Sequence, residues 1–203
     1  MNIRSFGDAA LLIELPDAQA AQALCQALLV GASAGIEDVV PGFQSLLIRF
    51  DPLKQDAARL AERIRNSTYS LPFSSKPVEH EIGMHYDGPD LSMIVQASGL
   101  SVEEIVHRHS RAVYRVAFIG FAPGFPYLTG LDPALHLPRH KTPRVHVPAG
   151  AVAIADQFCG IYPRSSPGGW HLIGTTDASL FDADRDAPCL LSPGDTVRFR
   201  ALP

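Results

Sequence analysis

The chain has 203 residues, of which 46% are hydrophobic and 19% are charged, so it is long enough to bury one core or two. Its net charge of −4 offers no broad basic surface of the kind that attracts phosphate backbones or anionic lipids, which argues against nucleic acid and membrane partners. Because the sequence has no uninterrupted apolar stretch long enough to span a bilayer, we expect a cytoplasmic location.

The first part of the chain predicts a small α/β unit. A β-prone run over residues 3–15 ends at Pro16, and apolar side chains then recur at helical spacing over residues 17–30. The elements that follow are two strands, a helix and a further strand, at 36–40, 43–50, 56–64 and 78–86. The resulting order β-α-β-β-α-β is that of a split βαβ sandwich.

A change in composition marks the predicted domain boundary. Residues 67–77 (STYSLPFSSKP) are rich in Ser and Pro and lack a helical period, which is typical of a linker. We therefore assign residues 1–77 to an N-terminal α/β domain and residues 78–203 to a C-terminal domain.

The second domain is predicted to open with two short helices, at 90–98 and 101–110. Gly99 suits the left-handed residue that ends the first helix, and Ser101 with Glu104 forms a capping box at the start of the second. A glycine turn followed by a capped helix is also the local pattern of a helix-turn-helix motif. Because the second helix begins with two acidic residues, where such a motif would meet phosphates, a structural helical hairpin is favoured over DNA binding.

The rest of the chain is rich in Pro and Gly and contains several short strands. The clearest strands are at 114–119, 151–155, 170–175 and 196–200. Many short strands between Pro/Gly loops indicate a closed β-barrel. The fold class that follows is α+β, with a small split βαβ domain followed by a barrel.

Neither the cysteines nor the histidines have the spacing of a metal site. The three cysteines, Cys25, Cys159 and Cys189, are widely spaced and fit buried, reduced thiols. Five histidines of the second half invite a metal interpretation, namely His107, His109, His136, His140 and His146. On a helix His107 and His109 would point to different faces, and Pro138 separates His136 from His140. We therefore predict no metal site.

Three dense blocks combine Pro and Gly with aromatic residues, at 120–128, 138–150 and 160–170. Pro and Gly fix unusual backbone shapes, aromatic rings supply flat contact surfaces, and Arg can hold a carboxylate or phosphate. The substrate-binding candidates are Arg139, Arg144, Phe125, Tyr127, Tyr162 and Trp170. The loop-shaping candidates are Gly124, Pro126, Pro148, Gly150, Gly168 and Gly169. The alternative is that these blocks are tight barrel turns with solvated charges, and no residue is assigned a catalytic role.

These blocks lead to a specific structural expectation. Arg139, Arg144, Tyr162 and Trp170 should line one concave face of the barrel, together with the loop at 121–127. We expect Arg144→Ala to abolish activity while leaving folding nearly intact, because an exposed arginine carries little stability.

The same blocks carry a resemblance to a known family. GFAPGFPYL, PRxxTPRxxVPAGxVAIA, GIYPxxSPGGWxLIGTT and the final SPGDTVRF, with GPDL at residues 88–91, closely resemble the KipI / allophanate hydrolase subunit 1 family. The match runs over about residues 86–199, and several long motifs in a fixed order make it specific. The first part of the chain matches more loosely, through FGDxALLIEL and PGFQSLLIRFD.

The resemblance implies a cyclophilin-like β-barrel as the second domain. It further implies a subunit of an ATP-dependent 5-oxoprolinase complex that converts 5-oxo-L-proline to L-glutamate, with a KipA / allophanate hydrolase subunit 2-like protein and a LamB/YcsF-like protein as partners. Because the chain has no GxxxxGK[ST] and no GxGxxG after a strand, ATP would be bound by the complex, with no site assignable to this chain. Family members also include a histidine-kinase inhibitor and parts of urea carboxylase, and these two functions remain alternatives.

Overall fold

The structure, a computed structural model, describes residues 1–30, 34–66 and 77–203. They divide into two units, Met1–Lys76 and Pro77–Pro203. The Ser/Pro-rich stretch predicted as a linker lies outside the described residues except for Pro77, and the domain limits of 1–77 and 78–203 stay predictions.

The first unit is a four-stranded antiparallel sheet with two helices. Its elements are β1 (Asn2–Ser5), β2 (Ala10–Glu14), α1 (Ala18–Val30), β3 (Ile36–Pro41), β4 (Ser45–Phe50) and α2 (Ala57–Asn66). The strand order is β1-β2-β4-β3. Leu24 of α1 and Leu60 of α2 share one buried cluster with Ile13 and Ile48 of the sheet, so both helices bury their apolar stripes with the strands.

Two details of the first unit differ from the sequence-based expectation. The run at 3–15 is a hairpin of two strands, because Gly7 adopts a left-handed conformation with φ of 69° and turns the chain. The strand predicted to close this sheet, at 78–86, belongs instead to the second unit, where it pairs in parallel with the last strand of the chain.

The second unit is built on a seven-stranded sheet. Its helices are α3 (Leu91–Ser98) and α4 (Val102–Arg111), with a 3₁₀ turn at Pro133–Leu135. Its strands are β5 (Glu79–Met84), β6 (Tyr114–Ile119), β7 (Pro126–Thr129), β8 (Arg144–Val147), β9 (Ala151–Ala155), β10 (Phe158–Ile161), β11 (Ser166–Gly168), β12 (His171–Thr175) and β13 (Thr196–Ala201). The large sheet has the order β12-β9-β10-β7-β6-β13-β5, and β8 and β11 form a separate two-stranded ribbon.

The large sheet curls until its two edges meet. His85, which follows β5, and Thr175 of β12 exchange two backbone hydrogen bonds of 2.9 Å each. This contact nearly closes the sheet into a barrel. The predicted α+β class with a barrel as its second part is therefore confirmed.

Strand β9 lies between two buried clusters. All five of its residues are buried. Val152 and Ile154 belong to the large apolar cluster of the unit, whereas Ala151, Ala153 and Ala155 belong to a cluster of aromatic side chains. Because successive side chains of a strand point to opposite faces, β9 is covered on both, and its small alanines leave room for rings.

The helical hairpin follows the sequence-based expectation closely. Gly99 ends α3 with φ of 72°, and Ser101 and Glu104 form both hydrogen bonds of a capping box at the start of α4. Among the described residues no helix is long and apolar enough to cross a membrane.

Candidate functional site

A buried ion pair joins two of the sequence blocks. Asp90, which is 5% exposed, accepts a 2.6 Å hydrogen bond at Oδ1 from Nη2 of Arg144, at the start of β8. Its other oxygen, Oδ2, accepts a 2.7 Å hydrogen bond from the backbone N–H of Leu172. Both carboxylate oxygens therefore have a donor, which a buried charge requires.

The segment before Asp90 lies directly against strand β12. The N–H of Gly88 donates to the carbonyl of Ile173 at 3.3 Å, and the N–H of Asp90 donates to the carbonyl of Leu172 at 3.2 Å. A Cβ at Gly88 would lie 2.2 Å from the Leu172 carbonyl oxygen, so only glycine fits. The glycine of GPDL thus allows the close approach that brings Asp90 to its partners.

Asp90 also stands at the N-cap of α3, yet its side chain makes no capping hydrogen bond. Aspartate at this position usually caps the helix. Burial disfavours the charged form, but the hydrogen bonds from Arg144 and from the Leu172 N–H outweigh it and lower the pKa of Asp90 below its ordinary value. The carboxylate is therefore ionised at neutral pH and directed away from its helix.

Two histidines stand beside this carboxylate. Nε2 of His140 lies 3.4 Å from Oδ2 of Asp90, and the rings of His140 and His171 lie with centroids 4.2 Å apart. Nε2 of His171 is 2.7 Å from the carbonyl oxygen of Pro138. We call Asp90, His140, Arg144 and His171 the Asp90 cluster; its members come from the GPDL segment, the 138–150 block and the residue after the 160–170 block.

The aromatic candidates pack together in a second group. The Phe125 ring contacts the rings of Tyr127, Tyr162 and Trp170 at centroid distances of 5.3, 5.1 and 5.5 Å. Phe125, Tyr162 and Trp170 are 1%, 2% and 5% exposed, so they contribute mainly to the core. Burial raises the pKa of both Tyr127 and Tyr162, which keeps their hydroxyl groups protonated.

The two arginine candidates have different surroundings. The guanidinium of Arg139 lies over the Trp170 ring, 5.8 Å from its centroid, and its Nε is 3.5 Å from Oδ2 of Asp156. The Arg139 side chain is 55% exposed, whereas that of Arg144 is 31% exposed and paired with Asp90. Arg139 is therefore available to a ligand, and Arg144 holds a buried carboxylate. That these residues bind a substrate stays a prediction.

The loop-shaping candidates occupy turns around the two groups. Gly124 and Gly150 have φ of 78°, Pro126 begins β7 and Pro148 directly follows β8. Gly169 accepts a 2.7 Å hydrogen bond from the N–H of His140, which fixes the backbone of that histidine. A Cβ on Gly168 would lie 2.2 Å from the Tyr162 hydroxyl oxygen.

His109 and one cysteine belong to a separate buried network of hydrogen-bonded side chains. The Tyr86 hydroxyl is 2.7 Å from Nδ1 of His109, whose Nε2 is 3.3 Å from Sγ of Cys159. Burial lowers the pKa of His109 to about 3 and raises the pKa of the Cys159 thiol. Cys159 and Cys25 are buried as expected, while Cys189 is half-buried. These hydrogen-bonded groups have a structural role, because burial keeps them neutral.

Sequence reasoning missed three members of the Asp90 cluster as site residues, Asp90, His140 and His171. The sequence indicates Asp90 only as part of GPDL, and no spacing pattern draws attention to His171. The signal that could have found the histidines is position: His140 and His171 each follow a substrate-binding candidate, Arg139 and Trp170, within or beside the same motif blocks.

Comparison with known proteins gives the class of the chain. The family model of the carboxyltransferase domain, subdomain C and D, matches residues 1–191. The chain therefore belongs to this carboxyltransferase-domain family.

Within it, the chain is similar to the 5-oxoprolinase subunit designated B of Escherichia coli O157:H7, with 42% identity over 170 residues, 81% of this chain and 77% of that protein. It is 40% identical over 207 residues to the corresponding 5-oxoprolinase subunit of Haemophilus influenzae, covering 98% of this chain and 97% of that protein. The expected relationship to this type of 5-oxoprolinase subunit is confirmed. The crystal structure of TTHA0988 superposes with a TM-score of 0.85 at 36% identity; it covers all of this chain, which spans 40% of that chain's length.

Proposed function

We propose that this chain is one subunit of an ATP-dependent 5-oxoprolinase complex that converts 5-oxo-L-proline to L-glutamate. Its partners in this proposal are a KipA-like and a LamB/YcsF-like subunit, and the complex works in the cytoplasm. The observation that carries the proposal is the similarity over nearly the whole chain to a protein named as a 5-oxoprolinase subunit.

The chemistry explains why several subunits would be needed. A lactam carbonyl is a poor electrophile, so ATP would first phosphorylate its oxygen, releasing ADP. Water then adds to the carbon, and the C–N bond of the ring breaks as the nitrogen takes up a proton, which leaves an acyl phosphate. A second water hydrolyses this acyl phosphate to the carboxylate of glutamate and phosphate. Phosphoryl transfer needs concentrated positive charge around the phosphates. The proposal places the ATP site elsewhere in the complex, because this chain lacks the common phosphate-binding motifs.

The part of this chain best suited to the substrate is the exposed edge at Arg139, whose guanidinium lies over the ring of the buried Trp170. The guanidinium of Arg139 is exposed, lies over an aromatic ring and has a long, 3.5 Å contact with Asp156. Such a group can exchange an exposed carboxylate partner for the carboxylate of 5-oxoproline. Arg144 acts differently in this proposal, since it positions Asp90 and does not meet the substrate.

The direct test is co-expression of the chain with the neighbouring subunit genes, followed by an assay of glutamate release from 5-oxoproline. We expect release to depend on ATP and on all the subunits, and the purified single chain to be inactive. In the complex, Arg139→Ala should raise KM at least tenfold with little change in melting temperature. Arg198→Ala is the matched control, because Arg198 is 49% exposed and pairs with the exposed Glu79.

Robust turnover by the single chain would contradict the shared-site proposal. An inactive complex, together with inhibition of a sensor histidine kinase by the chain, would favour the alternative function of a kinase inhibitor. If Arg139→Ala and Arg198→Ala left KM equally unchanged, the substrate edge would lie elsewhere.

A further inference from the structure

The Asp90 cluster contains a buried histidine nitrogen without a partner. His171 is 6% exposed, and its Nδ1 has no hydrogen-bond partner among the residues that the structure describes. Its Nε2 faces the Pro138 carbonyl oxygen at 2.7 Å. Since a carbonyl only accepts hydrogen bonds, Nε2 must carry a proton, and a ring with this single proton has a free lone pair on Nδ1.

This arrangement is typical of a histidine prepared to bind a metal. Metal-binding histidines nearly always donate their other ring N–H to a carbonyl or carboxylate, which fixes the tautomer and the ring orientation. A buried acceptor without a donor is costly, and such groups in folded proteins call for an explanation. A cation bound at Nδ1 of His171 would give this lone pair a partner.

Asp90 and His140 offer two further candidate ligands in the same group. One ring nitrogen of His140, one of His171 and a carboxylate oxygen of Asp90 lie within 4.8 Å of one another. Donors bound to one Zn²⁺ at about 2.1 Å can be at most about 4.2 Å apart, so the side chains would need to close by less than about 1 Å. His140 Nε2 and Asp90 Oδ2 are 3.4 Å apart, which is long for a hydrogen bond but short enough for both atoms to bind one ion.

The carboxylate is also held in place for this role. Arg144 binds Oδ1 and the Leu172 N–H binds Oδ2, which orients the group and keeps it ionised. Each carboxylate oxygen has two lone pairs, so Oδ2 can accept the N–H and still coordinate an ion. Ligating carboxylates in metal sites are commonly hydrogen-bonded in this way by neighbouring groups.

We infer that Asp90, His140 and His171 form a binding site for a divalent transition-metal ion, with Zn²⁺ as the best match. Two imidazoles and one carboxylate suit Zn²⁺ and its first-row neighbours. Three protein ligands leave at least one coordination position open, which is the pattern of catalytic zinc sites. The spacing along the chain gave no indication of this site, because its ligands come from three separate segments. The inference rests on the geometry of the second unit and does not depend on the proposed function.

The test uses metal-stripped, untagged chain titrated with Co²⁺, followed by visible absorption, and with Zn²⁺, followed by calorimetry. We expect one ion per chain, a Co²⁺ spectrum that Zn²⁺ abolishes, and a higher melting temperature with Zn²⁺. His140→Ala and His171→Gln should each weaken Zn²⁺ binding at least tenfold. His146→Ala is the control, since His146 is exposed, and it should bind as the wild type does.

Folding of each variant is checked by circular dichroism. His140→Ala carries the test if His171→Gln does not fold, because His140 is partly exposed and its loss leaves the backbone contact to Gly169 intact. The inference is overturned if no saturable binding occurs, if His140→Ala binds Zn²⁺ like the wild type, or if the Co²⁺ spectrum shows thiolate charge transfer, which would indicate a cysteine site.

Discussion

Replacing Arg144 by Ala should destabilise the protein, contrary to the expectation from the sequence alone. The substitution leaves the Asp90 carboxylate, which is 5% exposed, without its cationic partner. Removing one partner of a fully buried ion pair costs about 3–5 kcal/mol. Arg144 is 31% exposed and the Leu172 N–H still binds Oδ2, so we discount the cost to about 2 kcal/mol. That corresponds to a fall in melting temperature of roughly 4–8 °C.

The loss should depend on pH with a definite sign. In the wild type the pKa of Asp90 is lowered, so its contribution to stability is present at neutral pH and is lost as the pH falls through the folded pKa. Without Arg144, burial dominates and raises the pKa of Asp90, so protonation relieves the unpaired charge. The difference in stability between wild type and variant should therefore be largest near pH 7 and shrink towards pH 4.

Calorimetric melting at both pH values measures the effect, with Arg198→Ala as the matched control. Arg198 forms a 2.8 Å pair with Glu79, but both side chains are about half exposed or more, at 49% and 66%, and such pairs contribute only about 0–1 kcal/mol. Equal shifts for Arg144→Ala and Arg198→Ala, or a shift for Arg144→Ala that does not change with pH, would refute the reasoning.

Three further predictions concern other parts of the second unit. The pKa of His109 is lowered to about 3, so between about pH 6.5 and pH 3 the unfolded chain binds one proton more than the folded chain. This difference makes the wild type lose up to about 1.4 kcal/mol of stability per pH unit as the pH falls through that range. His109→Gln should abolish this part of the pH dependence, as measured by urea unfolding. Gly88→Ala would force a Cβ to 2.2 Å from the Leu172 carbonyl oxygen and should cost about 3 kcal/mol or more, seen as a lower urea midpoint. Ser101→Ala removes the capping box of α4 and should cost about 1 kcal/mol by thermal melting, whereas an unchanged melting temperature would show that this helix end does not limit stability.

Local patterns in the sequence predicted the elements of the fold well. Periodicity and capping residues located α3 and α4, and the limits predicted for β6 and β9 agree with the structure. These features depend on residues close together in the sequence, so their periodicity and capping residues can be recognised from the sequence alone. The strand at 78–86 was predicted correctly as a strand but assigned to the wrong sheet, because its partner β13 lies far along the chain.

The candidate site was predicted only in part, for the same reason. Arg139 and Arg144 stand out because they are charged residues in Pro-rich loops, but their environments depend on Asp156 and Asp90, which are distant in sequence. The pairing of His140 with His171 and Asp90 requires the curvature of the barrel and the approach allowed by Gly88. The spacing of residues in the sequence does not predict contacts between such separate segments.

The parallel pairing of β5 with β13 matters for the order in which the chain is made. β5 is the last strand in the order of its sheet and pairs with β13, and the contact between Val78 and Asp195 spans 117 positions. On the ribosome β5 therefore emerges long before its partner, as an unpaired strand of the kind that invites wrong associations. Glu79 and Glu81 place charges on this strand, and they pair with Arg198 and Arg200 only once β13 has been synthesised. The same carboxylates that protect the nascent strand thus help to set its register when translation reaches the end of the barrel.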